Sequence, residues 1–212
     1  MIADGADPGP PRTLVIACGA LAREVLAVVR LNGWGHVELA CLPADLHNRP
    51  QGIPEAVRGR IREARGRFER VLCLYGDCGT GGMLDRVLAE EGVERIEGAH
   101  CYEFYAGHAE FAALHDAEPG TFYLTDYLVR HFEALVVRGL GLDRHPELLA
   151  DYFGNYRRVV YLAQVDDPAL ERGAEAAAAR LGLALEVRRT GLAGIARFVA
   201  GATLPGGAPW RS

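Results

Sequence analysis

Short runs of apolar residues alternate along this chain with longer stretches in which apolar positions recur every three or four residues. Leu14 to Ala17 is wholly apolar, the pattern of a strand buried on both faces. A helix follows from about Ala20 to Leu31, then a second strand from Val37 to Leu42. Pro54 to Arg67 reads as an amphipathic helix with proline in its first turn. Val71 to Tyr75 is the third strand and Gly82 to Glu91 the next helix. Val93 to Ile96 is a short fourth strand that ends near His100 and Cys101.

The second half repeats the alternation. Thr121 to Leu124 predicts a strand, Asp126 to Val137 a helix, and His145 to Phe153 another helix, since Pro146 suits a first helical position. Val159 to Ala163 is a strong strand. Asp166 or Asp167 caps the alanine-rich helix from Pro168 to Leu181. Leu183 to Arg188 is a strand and Leu192 to Ala200 a closing helix. The alternation specifies an α/β fold, a mostly parallel open sheet with helices on both faces. The expected organisation is a flexible leader over 1–11, a single α/β domain over 12–200 and a flexible tail over 201–212. Asp116-Ala-Glu-Pro-Gly120 marks a place near 115–120 where the domain could divide into two similar lobes, with a cleft at the strand carboxyl ends.

Composition narrows the partners. A formal charge of −5 argues against a broad nucleic-acid-binding surface. All 23 basic residues are arginine, so neither a lysine Schiff base nor a phosphate-loop lysine is available. Met1 to Pro11 lacks the basic and apolar regions of a signal peptide. No stretch approaches the roughly 20 apolar residues that cross a bilayer. A cytoplasmic protein that binds neither membrane nor nucleic acid is therefore expected. Five cysteines, an odd number, point away from a disulfide framework and toward metal ligation, redox chemistry or packing.

Three cysteines stand where an apolar run meets a turn: Cys18 before Gly19, Cys78 in Tyr75-Gly-Asp-Cys-Gly79, and Cys101 after His100. If the runs are parallel strands, their carboxyl ends share one sheet edge, where open α/β sheets bind ligands. Thiolates suit zinc and iron–sulfur clusters. No C-x-x-C occurs, so the fold must assemble any site from distant segments. The expected metal ligands are Cys18, Cys78 and Cys101, with His100 beside them as a further ligand or hydrogen-bond donor. Cys78 lies in a glycine-rich turn leading into a helix, where the backbone around Gly76 and Gly79 can reach a cofactor. A helix N-terminus in that position lowers a thiol pKa.

His47, in the loop from Pro43 to Pro50, could supply a nitrogen ligand or a proton, and Asn48 could orient a polar ligand. Gly19 allows close approach to the backbone. Cys73 and Cys41 lie inside apolar runs and read as core residues, as do the aromatics of Tyr102-Glu-Phe-Tyr105 and Tyr152-Phe-Gly-Asn-Tyr156. There is no G-x-S-x-G elbow, no H-E-x-x-H and no kinase signature.

At these residues the chain resembles a family catalogued as domain of unknown function 1638. The resemblance rests on Ala17-Cys-Gly19, Leu42-Pro-Ala-Asp-Leu-His-Asn-Arg-Pro50, Tyr75-Gly-Asp-Cys-Gly79, Ala99-His-Cys101 and Thr121-Phe-Tyr-Leu-Thr-Asp126, and spans about residues 13 to 200. More distant members look to have His-Asp-Cys where this chain has Ala99-His-Cys101, which matches the cysteine. The resemblance implies a role near corrinoid-dependent methyltransferase components, as an auxiliary or methyl-handling protein. No corrinoid-binding Asp-x-His-x-x-Gly pattern is present, so the chain is not expected to carry the corrinoid.

The leading expectation is a protein whose cysteine-lined cleft binds zinc or an iron–sulfur cluster and handles a methyl group or thiol, a small-molecule ligand, in corrinoid-linked one-carbon metabolism. One alternative is a metal-free thiol enzyme with Cys78 as nucleophile and His47 or His100 as base. The other is a non-enzymatic accessory partner of a methyltransferase system.

Overall fold

A computed structural model describes residues 9–204. The greater part of the expected leader (1–8) and of the expected tail (205–212) lies outside the described residues. The elements run β1 (Thr13–Cys18), α1 (Ala22–Asn32), β2 (Val37–Leu42), α2 (Ile53–Ala64), β3 (Arg70–Leu74), α3 (Met83–Glu91), β4 (Glu94–Arg95), α4 (Tyr102–Ala106), α5 (His108–Ala117), β5 (Thr121–Thr125), α6 (Asp126–Arg130), α7 (Leu148–Phe153), β6 (Arg158–Ala163), α8 (Pro168–Leu181), β7 (Ala184–Arg189) and α9 (Ala193–Thr203). They form two compact units. The first ends at Cys101 and is joined by the segment from Ile195 onward; the second is Tyr102–Gly194. Each has its own parallel sheet, in the order β2-β1-β3-β4 in the first and β5-β6-β7 in the second. The α/β reading of the sequence holds. Asp116-Ala-Glu-Pro-Gly120 lies within the second unit, where it ends α5 and turns the chain into β5.

In the first unit every residue of β1 is buried, as its apolar run predicts for a central strand. Its register sets Ala17 beside Cys41 of β2 and Leu74 of β3. The right-handed crossover rule then puts α1 on one face of the sheet and α2 and α3 on the other. α2 inserts Ile53, Val57 and Ile61, each at most 2% exposed, and each such burial contributes about 1.5–3 kcal/mol. Its outer face turns Arg58, Arg62 and Arg65 onto Glu91 at the end of α3, at 3.0, 2.8 and 2.5 Å. The Glu91 side chain is 3% exposed beneath these guanidinium groups, so the cluster ties the ends of the two helices together.

In the second unit β6 is central, and Val159 to Leu162 are fully buried. Side chains alternate across β5, so Tyr123 packs with Tyr102 and Phe111 on one face while Phe122 meets Phe153 and Tyr156 on the other. These aromatics are core, with Tyr152 an exposed exception. Asp167 caps α8 by accepting from the Ala169 amide at 2.8 Å. Two helices differ from expectation. The helix predicted over Asp126 to Val137 stops at Arg130 and resumes as a π-helical turn, Glu133–Arg138. That wider turn keeps Phe132, Val136 and Val137 buried together. The helix predicted from His145 starts only at Leu148, because the residues around Pro146 are held in tight turns.

Candidate functional site

The strand order of the first unit reverses between β1 and β3: the chain leaves β1 toward β2 on one side and returns to pair β3 on the other. The loops after β1 and β3 therefore diverge and leave a crevice at their carboxyl ends. Cys18 is the last residue of β1, 3% exposed, and its sulfur accepts from the Ala20 amide at 3.5 Å. The loop after β2 coils into a 3-10 turn, Ala44–Asn48, that carries His47 back over β1. His47 Nδ1 lies 3.7 Å from Cys18 Sγ. Tyr75 follows β3. Since Ala17 pairs with Leu74, Tyr75 is level with Cys18 one step further on.

Cys78 stands in the turn after β3 with φ +49°, the one non-glycine positive φ among the described residues. Such a conformation costs about 1–2 kcal/mol. Hydrogen bonds to the β4 loop hold it there: the Cys78 amide donates to Ala99 O at 2.9 Å and the Asp77 amide to Gly98 O at 3.2 Å. Asp77 braces the turn from inside, accepting from the Thr80 hydroxyl at 2.7 Å and the Gly82 amide at 2.8 Å. Burial would raise the pKa of this carboxyl, but the Thr80 hydroxyl and the backbone amides outweigh it and hold it low.

Gly76 and Gly19 permit loop-to-loop contact. A Cβ on Gly76 would stand 3.0 Å from Ala99 O and 3.1 Å from Gly98 O, and one on Gly19 would stand 3.1 Å from Leu42 O. A Cβ on Gly79, at φ +83°, would stand 3.6 Å from the Pro50 ring.

Electrostatics corrects the expectation for Cys78. Its thiol is not acidified. Burial pushes it up to about 11, the nearby Cys18 thiol adds to this, and the amides of Gly76 and Cys101 offset only part. α3 does not start until Met83, and a helix terminus acts over little more than one turn. Burial likewise raises the Cys18 thiol, against the Ala20 amide and the Tyr75 hydroxyl. His47 is exposed, yet desolvation lowers its pKa against a backbone bond to Ala44, and His100 lowers it further, which favours the neutral imidazole. No guanidinium is among the main influences on Cys18, His47 or Cys78.

Cys18, His47 and Cys78 thus gather at one edge. His100 lies within electrostatic reach of His47, and Cys101 reaches the Cys78 thiol through its backbone amide. His100 is exposed, and Asn48 is exposed at the end of its turn. Cys41 is half-buried and Cys73 is fully buried, its thiol pushed up to about 12. Among the described residues no three His, Cys, Asp or Glu side chains already stand in a metal-coordinating arrangement.

Sequence reasoning passed over Tyr75. Its side chain is 1% exposed, and its hydroxyl makes no hydrogen bond of normal geometry, although it lies within electrostatic reach of Cys18 and Cys78. Burial, then those thiols, raises its pKa. The available signal was a phenol ending an apolar run directly before the Gly-Asp-Cys-Gly turn.

At the corresponding edge of the second sheet, polar groups bond to one another. Asp126, 1% exposed, accepts from the Tyr161 hydroxyl at 2.6 Å and the Gln164 amide at 3.1 Å. Gln164 Oε1 accepts in return from the Asp126 amide at 2.7 Å. That network braces the strand ends through Asp126 Oδ1.

Among the described residues no helix is long and apolar enough to cross a membrane. No curated protein and no solved structure matches the chain. Residues 41–199, most of the chain, match the model of the family described as protein of unknown function (DUF1638); the match takes in the His47, Cys78 and His100-Cys101 loops and begins after Cys18, and the protein belongs to that family.

Proposed function

We propose that the first unit binds a thiophilic metal centre at the carboxyl ends of β1 to β4. Cys18, His47 and Cys78 are the three donors, with His100 and Cys101 beside them as alternatives to one of the three, so that a fourth position stays open. The observation that carries this reading is the Cys18–His47 approach of 3.7 Å beside a second, half-buried thiol, Cys78. Two thiols and a neutral imidazole, crowded together without a cation among their main influences, form a donor set that a divalent ion would complete. Sulfur and nitrogen donors in that ratio suit zinc first. An iron–sulfur cluster would need Cys101 as a third thiolate. Zinc bound here would activate a coordinated thiol or polarise a methyl acceptor. Work on a methyl group or thiol beside corrinoid-dependent methyltransferase components rests on the family resemblance.

Metal analysis of anaerobically purified protein tests the site. One equivalent of zinc, or iron with sulfide, is expected in the wild type, and none after combined Cys18→Ser, Cys78→Ser and Cys101→Ser substitution. Full stoichiometry in the triple variant would end this proposal.

The same 3.7 Å contact supports a second reading, metal-free thiol chemistry with Cys18 rather than Cys78 paired to His47. Alkylation separates the two. Protection that a chelator lifts marks a metal site, whereas one cysteine reactive without chelator marks a nucleophile.

A further inference from the structure

The Tyr75 hydroxyl is the unexplained group of this molecule. It is buried at the sheet edge beside both thiols of the proposed site, and its approach to the Cys18 sulfur falls short of hydrogen-bond geometry. A buried hydroxyl left without a partner costs about 1–3 kcal/mol, so native proteins rarely keep one unless something else completes it. Phenylalanine would fill the same space without that cost. The backbone gives the phenol little freedom to turn elsewhere, since Tyr75 lies between the paired strand β3 and the loop locked onto Gly98 and Ala99.

We infer that the site takes a small exogenous thiol as its ligand, and that the Tyr75 O–H donates a hydrogen bond to the sulfur of that ligand once it is bound beside Cys18, His47 and Cys78. The inference rests on the metal-site reading above. Three protein donors leave one coordination position open, and a thiophilic ion prefers sulfur there. The thiol binds as its thiolate, its proton passing to solvent, and a thiolate accepts a hydrogen bond that the protonated phenol supplies. Carboxylates and phosphates fit less well, because recognition of those anions draws on guanidinium groups, and the guanidinium beside this turn, Arg95, is engaged by Asp85 and by the carbonyls of Ile96 and Gly98. Tyr75 is accordingly a residue that determines ligand choice, acting on the ligand rather than on the fold.

The test uses the full chain loaded with cobalt(II), whose absorption reports both uptake and sulfur ligation. Wild type and Tyr75→Phe are titrated anaerobically with 2-mercaptoethanol and, separately, with inorganic phosphate. Both proteins should take up cobalt equally. The sulfur-to-cobalt charge-transfer band should grow with thiol in both, with the affinity of Tyr75→Phe ten- to a hundredfold weaker, the worth of one hydrogen bond to a charged acceptor. Phosphate should compete poorly in either protein. The metal-free Tyr75→Phe protein should melt no lower than wild type. Equal thiol affinity in the two proteins, preferred binding of phosphate, or a lower melting temperature in Tyr75→Phe would each overturn the inference while leaving the metal site standing. Failure of the wild type to take up cobalt shows itself before any thiol is added; it removes the metal site and this inference with it.

Discussion

Cys18 Sγ lies 3.7 Å from His47 Nδ1, although 29 positions separate the two residues in the chain. One ends the central strand and the other rides a 3-10 turn folded back from the neighbouring strand. The contact is therefore a product of sheet order. His47→Ala should lower zinc affinity by at least about a hundredfold, since loss of even an outer partner of a ligand costs about ten- to a hundredfold, with little change in melting temperature because His47 is exposed. Competition against a chromophoric chelator measures the first quantity and calorimetry the second.

Metal affinity should rise with pH. Cys78 and Cys18 both hold their protons beyond the ordinary range, Cys78 up to about 11. Each must lose its proton to ligate, so affinity should increase by up to tenfold per pH unit for each thiol between pH 6 and 9. A flat profile would mean that neither thiol coordinates.

Stability of the metal-free protein should move the opposite way. Below the ordinary thiol value of 9.0 Cys78 is protonated both folded and unfolded. Between 9.0 and about 11 the unfolded chain releases that proton while the folded chain keeps it, so unfolding is favoured as pH rises. Denaturation at pH 8, 9 and 10 should show a falling midpoint. Cys78→Ser should reduce the slope, with buried Cys73, pushed up to about 12, supplying part of the remainder.

Cys78 combines a useful thiol with a strained backbone. Cys78→Gly and Cys78→Ala both remove the sulfur, but only glycine adopts φ +49° without penalty. Cys78→Gly should exceed Cys78→Ala in stability by about 1 kcal/mol, while both lose metal alike. Equal stabilities would mean that the turn relaxes away from this conformation.

Gly76→Ala should damage the site through the backbone. The added Cβ would meet Ala99 O at 3.0 Å, and no flexible side chain can yield. Separating the two loops strains the bond from the Cys78 amide to Ala99 O, for a loss of about 1–3 kcal/mol and weaker metal binding.

The amino-acid order by itself determined the α/β class, most strand positions, the burial of Cys73 and a helix cap at Asp166 or Asp167, of which the fold uses Asp167. These follow from local periodicity and from the chemistry of a helix start, both of which are written within a dozen residues. It also set Cys18, Cys78 and Cys101 at strand ends or just beyond them. Only the tertiary structure decided that the strands form two separate sheets, that order reverses at β1 and β3, and that His47 comes to Cys18. It also reversed the expected acidity of Cys78 and exposed the unsatisfied hydroxyl of Tyr75. Strand order and desolvation are collective properties: neighbouring residues in the chain do not encode which distant loops will exclude water from a given sulfur or phenol.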